Sequence, residues 1–519
     1  MQTEQWGFCM PDVELKQEKA KLQKVLHRWD LIFFSVCALV GLDAVAGLAK
    51  AGLWESITWF IIFIVIYILP YGLVTAELGA AFPAEGGIYT WVRMAYGKLA
   101  GGISAILYWI ANPIWIGGTL AAVSIAAINS FFMEPNHHAD LGWLPSTIIG
   151  LIFVWLNIGI AVVALKHGKW AGNIGAYVKA IAVIFFSILV VGFLIKKGMP
   201  AGHAPLGGLK PSITGFLAVI GLIVFLITGF ELETGASEEM VNPQHDVPIS
   251  VLRSGILSVV LYVVVVAGIL IALPEKTLAG VSGFTGSFQA VNAAVFGTGG
   301  FGKFLGYIFG IIIILTLIGS GSVWILGSCR VQALVALDGA APRFLGRFSK
   351  QGTPTVMAVL SGIIGSIFVI YILAVLKGTL GNFFSLMLDL TVSTTVLAFI
   401  FMFPAIITLR RKYPDVPRPF KVPGGTIGLW LCVILTEAAV IITGFTFLWP
   451  GFLDHYIFGK AYSIKDSWGV GRTYFEVVTL GSFLVIILVA VIFWAWGRAE
   501  TKGEVETKDG LIESAVEDV

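Results

Sequence analysis

Asp43, Lys179, Glu231 and Glu233 are among the charged side chains that stand inside otherwise apolar runs. A charge at membrane depth costs at least about 2.5–3.5 kcal/mol on insertion scales, so such a group is expected to pair, to hold a charged solute or to carry a proton. Asp43 lies in Val40-Gly41-Leu42-Asp43-Ala44-Val45-Ala46-Gly47. The glutamates lie in Ile227-Thr228-Gly229-Phe230-Glu231-Leu232-Glu233-Thr234-Gly235. Each run places an acid between two glycines, a pattern that predicts an interrupted helix. Unwound backbone exposes N–H and C=O groups that can hold a charged solute. At that depth it is tolerated only where it lines a cavity or is covered by protein. The competing reading for each glycine is close helix packing. For Asp43 it is an N-cap on a half-helix beginning at Ala44.

Two aromatic positions extend the candidate set. Trp109, with Asn112 and Pro113, combines an aromatic face, an amide and a kink, and the ring could hold an ammonium by cation–π attraction. Phe230 sits in the second interruption and could close over a bound solute. The expected binding residues are therefore Gly41, Leu42, Asp43, Ala44, Val45, Thr228, Gly229, Phe230, Glu231, Glu233, Trp109 and Asn112.

Enzymatic chemistry finds no such set. There is no phosphate-binding loop, no nucleophile elbow and no HExxH run. Cys9, Cys37, Cys329 and Cys432 are too irregularly spaced for a metal motif or a disulfide framework. The histidines (His27, His137, His138, His167, His203, His245 and His455) fall in loops or tails. No cofactor and no metal are expected.

The elements that must position these residues are membrane spans. Hydrophobic residues make up 57% of the 519, charged residues 12%, and the mean hydropathy is +0.91. A soluble chain carries about twice that share of charge, roughly 25%. The net charge of +2 gives no reason to expect a nucleic-acid partner. Twelve apolar segments reach spanning length, near 29–50, 54–82, 99–131, 144–165, 170–195, 212–237, 249–273, 304–334, 353–376, 382–409, 424–448 and 475–497. An even number puts both termini on one side. With them cytoplasmic, Lys and Arg on the cytoplasmic side outnumber those outside by about two to one, which predicts that orientation. No cleavable signal peptide is visible, and the first span would serve as the insertion signal. The chain then divides into a cytoplasmic tail (1–28), a ten-helix core (29–409), a cytoplasmic loop with helices 11 and 12 (410–497), and a polar tail (498–519) expected to be cytoplasmic and mobile. A Gly/Ser/Thr-rich stretch, Leu278–Gly302, reads as an external loop with a short helix. The two interruptions fall in spans 1 and 6, which implies an inverted repeat of spans 1–5 against 6–10 with the site between them.

Four stretches then resemble a known family. Span 2 ends Thr75-Ala76-Glu77-Leu78-Gly79-Ala80-Ala81-Phe82-Pro83-Ala84-Glu85-Gly86-Gly87-Ile88-Tyr89. Span 6 gives Gly229-Phe230-Glu231, then Glu238-Glu239-Met240-Val241-Asn242-Pro243 and Pro248. Span 8 ends Cys329-Arg330 and continues to Asp338-Gly339-Ala340-Ala341-Pro342. Before span 11 comes Pro417-Arg418-Pro419-Phe420-Lys421-Val422-Pro423. In this order the chain resembles the amino acid–polyamine–organocation (APC) permeases over about residues 29–497.

That resemblance implies an all-α integral membrane protein: twelve transmembrane helices, a LeuT-type 5+5 inverted repeat and two peripheral helices. It implies secondary active transport of amino acids or related amines by alternating access, driven by protons or by exchange, in the cell (inner) membrane. Lys179 resembles a span-5 lysine of proton-coupled members, which implies proton coupling; the competing reading is a permanently charged strut paired with carbonyls of span 1. One departure matters. Where the family commonly has a small G-S/T-G run whose amides hold a substrate carboxylate, this chain has Gly41-Leu42-Asp43. Asp43 there favours a cationic amine, a polyamine or a basic amino acid, with Glu233 assisting. Glu231 and Glu77 read as architectural. The alternatives are exchange of neutral or acidic amino acids and, in a different class, a channel or a non-transporting sensor. An accessory subunit is left open.

Overall fold

The computed structural model describes residues 24, 26–45, 47–48, 53–133, 141–166, 170–198, 211–272, 283–349, 352–375, 380–459, 462–465 and 471–517. The tail before residue 24, Cys9, His137, His138, His167 and His203 lie outside them. Among the described residues the regular structure is helical, and one isolated bridge pairs Leu26 with Met240.

In chain order the helices are α1 (Arg28–Leu39), α2 (Leu53–Phe63), α3 (Leu69–Ala81), α4 (Ile88–Tyr96), α5 (Lys98–Trp115), α6 (Ala121–Phe132), α7 (Trp143–Lys166), α8 (Trp170–Lys197) and α9 (Ile213–Leu226). They continue with α10 (Pro243–Ala272), α11 (Gly283–Phe296), α12 (Gly300–Leu337), α13 (Thr355–Ile370), α14 (Leu380–Leu397), α15 (Met402–Lys412), α16 (Gly425–Leu448) and α17 (Arg472–Glu517). One-turn π segments, Ile64–Ile68 and Ile116–Leu120, join α2 to α3 and α5 to α6. The second follows Pro113, which has no N–H to give to the helical ladder.

Among the described residues nine helical stretches are long and apolar enough to cross a membrane, against twelve expected from sequence. Their limits match the expected ones within a few residues. The other three expected spans contain α1, α9 and α13, which are 12, 14 and 16 residues long. The first two stop short because the glycine-bracketed runs do break. Apolar side chains also cover the outside: Val477, Leu484, Leu488 and Ile492 on α17 are exposed, as are Ile427, Leu431 and Ile434 on α16. Exposed apolar surface on this scale suits lipid rather than water.

Inside, α1 packs on α8 and α10, α10 on α3, and α12 on α5 and α8. The approach of α8 to α12 depends on glycine: a Cβ on Gly319 would meet the Cα of Gly175 at 3.0 Å. Small residues let membrane helices approach this closely.

The four motif stretches meet through buried ion pairs at one end of the bundle. Glu77 receives Nε and Nη2 of Arg410 at 2.7 and 2.6 Å and the N–H of Val422 at 2.6 Å, tying α3 to α15 and to the Pro417–Pro423 run. Arg330 on α12 is wholly buried between Glu239 at 2.5 Å and Glu85 at 3.7 Å. Asp338 receives Arg93 Nε at 2.5 Å and the Tyr89 hydroxyl at 2.6 Å, with Lys98 at 3.5 Å. Motif residues far apart in sequence are thus neighbours here, because a buried charge must be matched locally.

The stretch around 278–302 does contain a helix, α11, whose Phe288 stacks on Phe309 of α12 with centroids 3.5 Å apart. The tail after 498 continues α17 as helix to Glu517. Its Glu, Lys and Ala content favours helix without any packing requirement.

Candidate functional site

Both interruptions occur where the sequence placed them, and they lie side by side. After α1 the chain leaves the helix at Val40 (φ −84°, ψ 90°) and takes up a short turn through Leu42–Ala44. After α9 it leaves at Ile227 and resumes as a 3-10 segment, Leu232–Glu239. Gly229 between them has φ +136°, a conformation that L side chains rarely adopt, and a Cβ there would meet the Trp324 ring at 3.2 Å.

Broken helices leave carbonyls and N–H groups unmatched, and here tyrosine hydroxyls meet them. Tyr262 of α10 accepts the Gly41 N–H at 2.7 Å and directs its own hydroxyl at the carbonyls of Leu39 (2.5 Å) and Leu226 (2.8 Å). One side chain therefore fastens the first break to the second. Tyr71 of α3 accepts the Gly229 N–H at 3.1 Å and donates to Glu231. Trp324 of α12 donates its indole N–H to the Ala38 carbonyl at 3.1 Å, and Lys179 of α8 donates to the Cys37 carbonyl.

A small, partly open cavity lies between the two breaks, α5, α12 and α14. Its polar lining includes Asp43, Asn112, Thr228, Thr391 and Thr395, and its aromatic lining is Trp115, Phe225 and Trp324. The Asp43 carboxylate accepts the Trp115 indole N–H at 2.8 Å, and the Trp115 ring stands edge-on to both Phe225 and Trp324. The arrangement is one fixed carboxylate inside a partly aromatic box, which suits a small cation.

Of the residues expected from sequence, Gly41, Asp43, Asn112 and Thr228 line this cavity. The others are placed differently. Glu233, expected to assist with an ammonium, is held by Ser35 at 2.6 Å and by Ser250. Glu231 is held by Tyr71 and by Tyr108 at 2.7 Å. Neither carboxylate lines the opening. Phe230, expected as a lid, is buried with its ring edge-on to Tyr71 at 4.9 Å. Trp109 turns to Ser361, donating at 2.9 Å. Leu42, Ala44, Val45 and Gly229 shape the breaks without lining the cavity.

Sequence reasoning missed Trp115, Tyr262, Trp324 and the threonines of α14. Trp115 was within reach, since it stands three positions after Asn112 and so on the same helical face. Tyr262 carried no local signal, as its role exists only where three elements meet.

A profile of the family described as amino acid permease matches residues 26–454. The chain is 31% identical over 411 residues to a probable agmatine/putrescine antiporter of Lactococcus lactis, covering 79% of this chain and 84% of that one. It is 29% identical over 431 residues to an uncharacterized transporter of Legionella pneumophila, covering 82% and 90%. It is 25% identical over 474 residues to a branched-chain amino acid permease of Bacillus subtilis, covering 85% and 94%.

Proposed function

Because the chain belongs to the amino acid permease family, whose members are multi-pass membrane transporters and not enzymes, we propose that it carries a small cationic amine, a polyamine or a basic amino acid, across the cell membrane by proton-coupled alternating access. The observation that carries this reading is the Asp43 carboxylate, fixed by Trp115 in a cavity whose other large side chains are Phe225 and Trp324. An ammonium entering that space gains a charge partner and aromatic faces together. A substrate carboxylate gains less. The N–H groups of Gly41 and Gly229, which a broken helix would offer to it, are already bound by Tyr262 and Tyr71. The relative named as an agmatine/putrescine antiporter supports the same class of solute.

In this reading Asp43 is the ammonium partner, and Gly41, Asn112 and Thr228 complete its surroundings. Lys179 exchanges the coupling proton, its ammonium seated on the Cys37 carbonyl between α8 and the first break. The nine long spans, together with the spans built on α1, α9 and α13, make twelve crossings. Spans 1–5 repeat inverted as 6–10, with both termini cytoplasmic. The ion pairs of Arg330 and Asp338 then lie on the cytoplasmic side and hold that side shut.

The test is uptake of labelled putrescine, lysine, glutamate and leucine into proteoliposomes, with and without an inward proton gradient. Wild type and Asp43→Asn are compared. Gradient-dependent uptake of the cations, abolished in the variant, is the expected result. Uptake of glutamate or leucine that survives the substitution would sink the cationic reading.

A further inference from the structure

Two side-chain oxygens in the lining of the central cavity have no partner among the described residues. Asn112 of α5 gives its Nδ2 to the Tyr108 carbonyl at 2.9 Å, and its Oδ1 accepts no hydrogen bond from them. The Thr395 hydroxyl of α14 makes no hydrogen bond with them either. Both side chains are deeply buried, Asn112 at 3% exposure and Thr395 at 4%, and both line the cavity. Other hydroxyls of the same lining are spent on their own helices. Thr391 donates to the Met387 carbonyl at 2.7 Å and Thr228 to the Val224 carbonyl at 2.9 Å. A polar group buried without a protein partner is costly, and it persists where water or a ligand supplies one.

Chain direction places these oxygens relative to Asp43. Helix α5 begins at Lys98, beside Asp338, and α14 leads into α15, whose Arg410 holds Glu77. The two helices pack on one another, one leaving the ion-pair end and the other approaching it. Asn112 therefore stands one helical turn, roughly 5 Å, nearer the ion pairs than Trp115, which fixes Asp43. Thr395 stands one turn nearer them than Thr391. Both steps run the same way.

The chemistry of the pair selects a donor. With its Nδ2 already engaged, Asn112 can only accept, and a threonine hydroxyl can accept too. Among the described residues that line the cavity, Asp43 alone is charged, so nothing there repels a second cation.

We propose that Asn112 and Thr395 form a second amine subsite for a short-chain solute with a cationic nitrogen at each end, as in an α,ω-diamine. One nitrogen rests on Asp43, and the other donates its N–H groups to the two neutral oxygens. The proposal rests on Asp43 as the ammonium partner and narrows that reading from small cations to doubly cationic ones. A monoamine fills the Asp43 end and leaves both oxygens unmatched. A site built to hydrogen-bond a group rejects the analogue that lacks it.

The test is titration calorimetry of the purified protein with putrescine and with n-butylamine, which has the same carbon chain and a single ammonium. Wild type should bind putrescine at least about 10-fold more tightly, the gain expected from a hydrogen bond to a charged group. Thr395→Val and Asn112→Leu should each bring that ratio toward unity, and Thr395→Ser, which keeps the oxygen, should preserve it. Equal losses for both amines, with the ratio intact, are what damaged packing would give and would overturn the subsite. Should the variants not fold, the wild type decides by itself. Equal affinity for the two amines overturns the subsite and leaves Asp43 as the ammonium partner. Binding of neither amine would reject the cationic reading and the subsite with it.

Discussion

The indole N–H of Trp115 meets Oδ2 of Asp43 at 2.8 Å, joining positions 72 apart in the chain. The bond fixes a carboxylate that would otherwise swing on an unwound segment, and it does so from a ring that also walls the cavity. Trp115→Phe keeps the wall and removes the donor. A hydrogen bond to a charged group contributes about 1.5–3 kcal/mol. The dissociation constant for a cationic amine should therefore rise by roughly 10- to 100-fold. Equilibrium binding of labelled amine to the purified variant measures it, and an unchanged constant would mean that Trp115 only packs.

Tyr262 joins the two breaks, so its hydroxyl should matter to stability as well as to transport. Tyr262→Phe leaves the Gly41 N–H and the Leu39 and Leu226 carbonyls without this partner. The expected cost is about 1–3 kcal/mol for the groups left unmatched. Thermal unfolding in detergent should shift down, with uptake reduced in parallel. No shift would show that water takes the hydroxyl's place.

Arg330 lies wholly buried between Glu239 and Glu85. Removing one partner of such a group leaves uncompensated charge and costs about 3–5 kcal/mol. Arg330→Met alone should sharply reduce folded protein on size-exclusion chromatography. Adding Glu85→Gln and Glu239→Gln should restore much of it, because the neutral triple variant has no stranded charge. Equal losses in the single and the triple variant would count against an electrostatic cause.

Glu77 receives a two-pronged contact from Arg410 and the Val422 N–H besides. Lysine cannot reproduce that fork. Arg410→Lys should therefore lower the melting temperature nearly as far as Arg410→Gln, although it keeps the charge. A lysine variant as stable as wild type would show that charge alone suffices.

Sequence by itself determined the all-helical membrane character, the limits of the long spans and the two places where helices break. These are local properties: runs of apolar residues must match bilayer thickness, and glycine beside an acid weakens a helix wherever it stands. It also determined Asp43 as a buried acid at a break. Which side chains turn toward the opening was decided only by tertiary structure. Glu231 and Glu233 share the second break with Thr228, yet serine and tyrosine hydroxyls from other helices hold both carboxylates elsewhere. Phe230 packs into the core against Tyr71 of α3, on a turn whose rotation spacing in the sequence does not specify. Trp115, Tyr262 and Trp324 belong to three separate helices and acquire their roles only where those helices converge on the breaks. A buried polar group is satisfied by whatever lies within about 3 Å of it, and that neighbourhood exists only once the chain has folded.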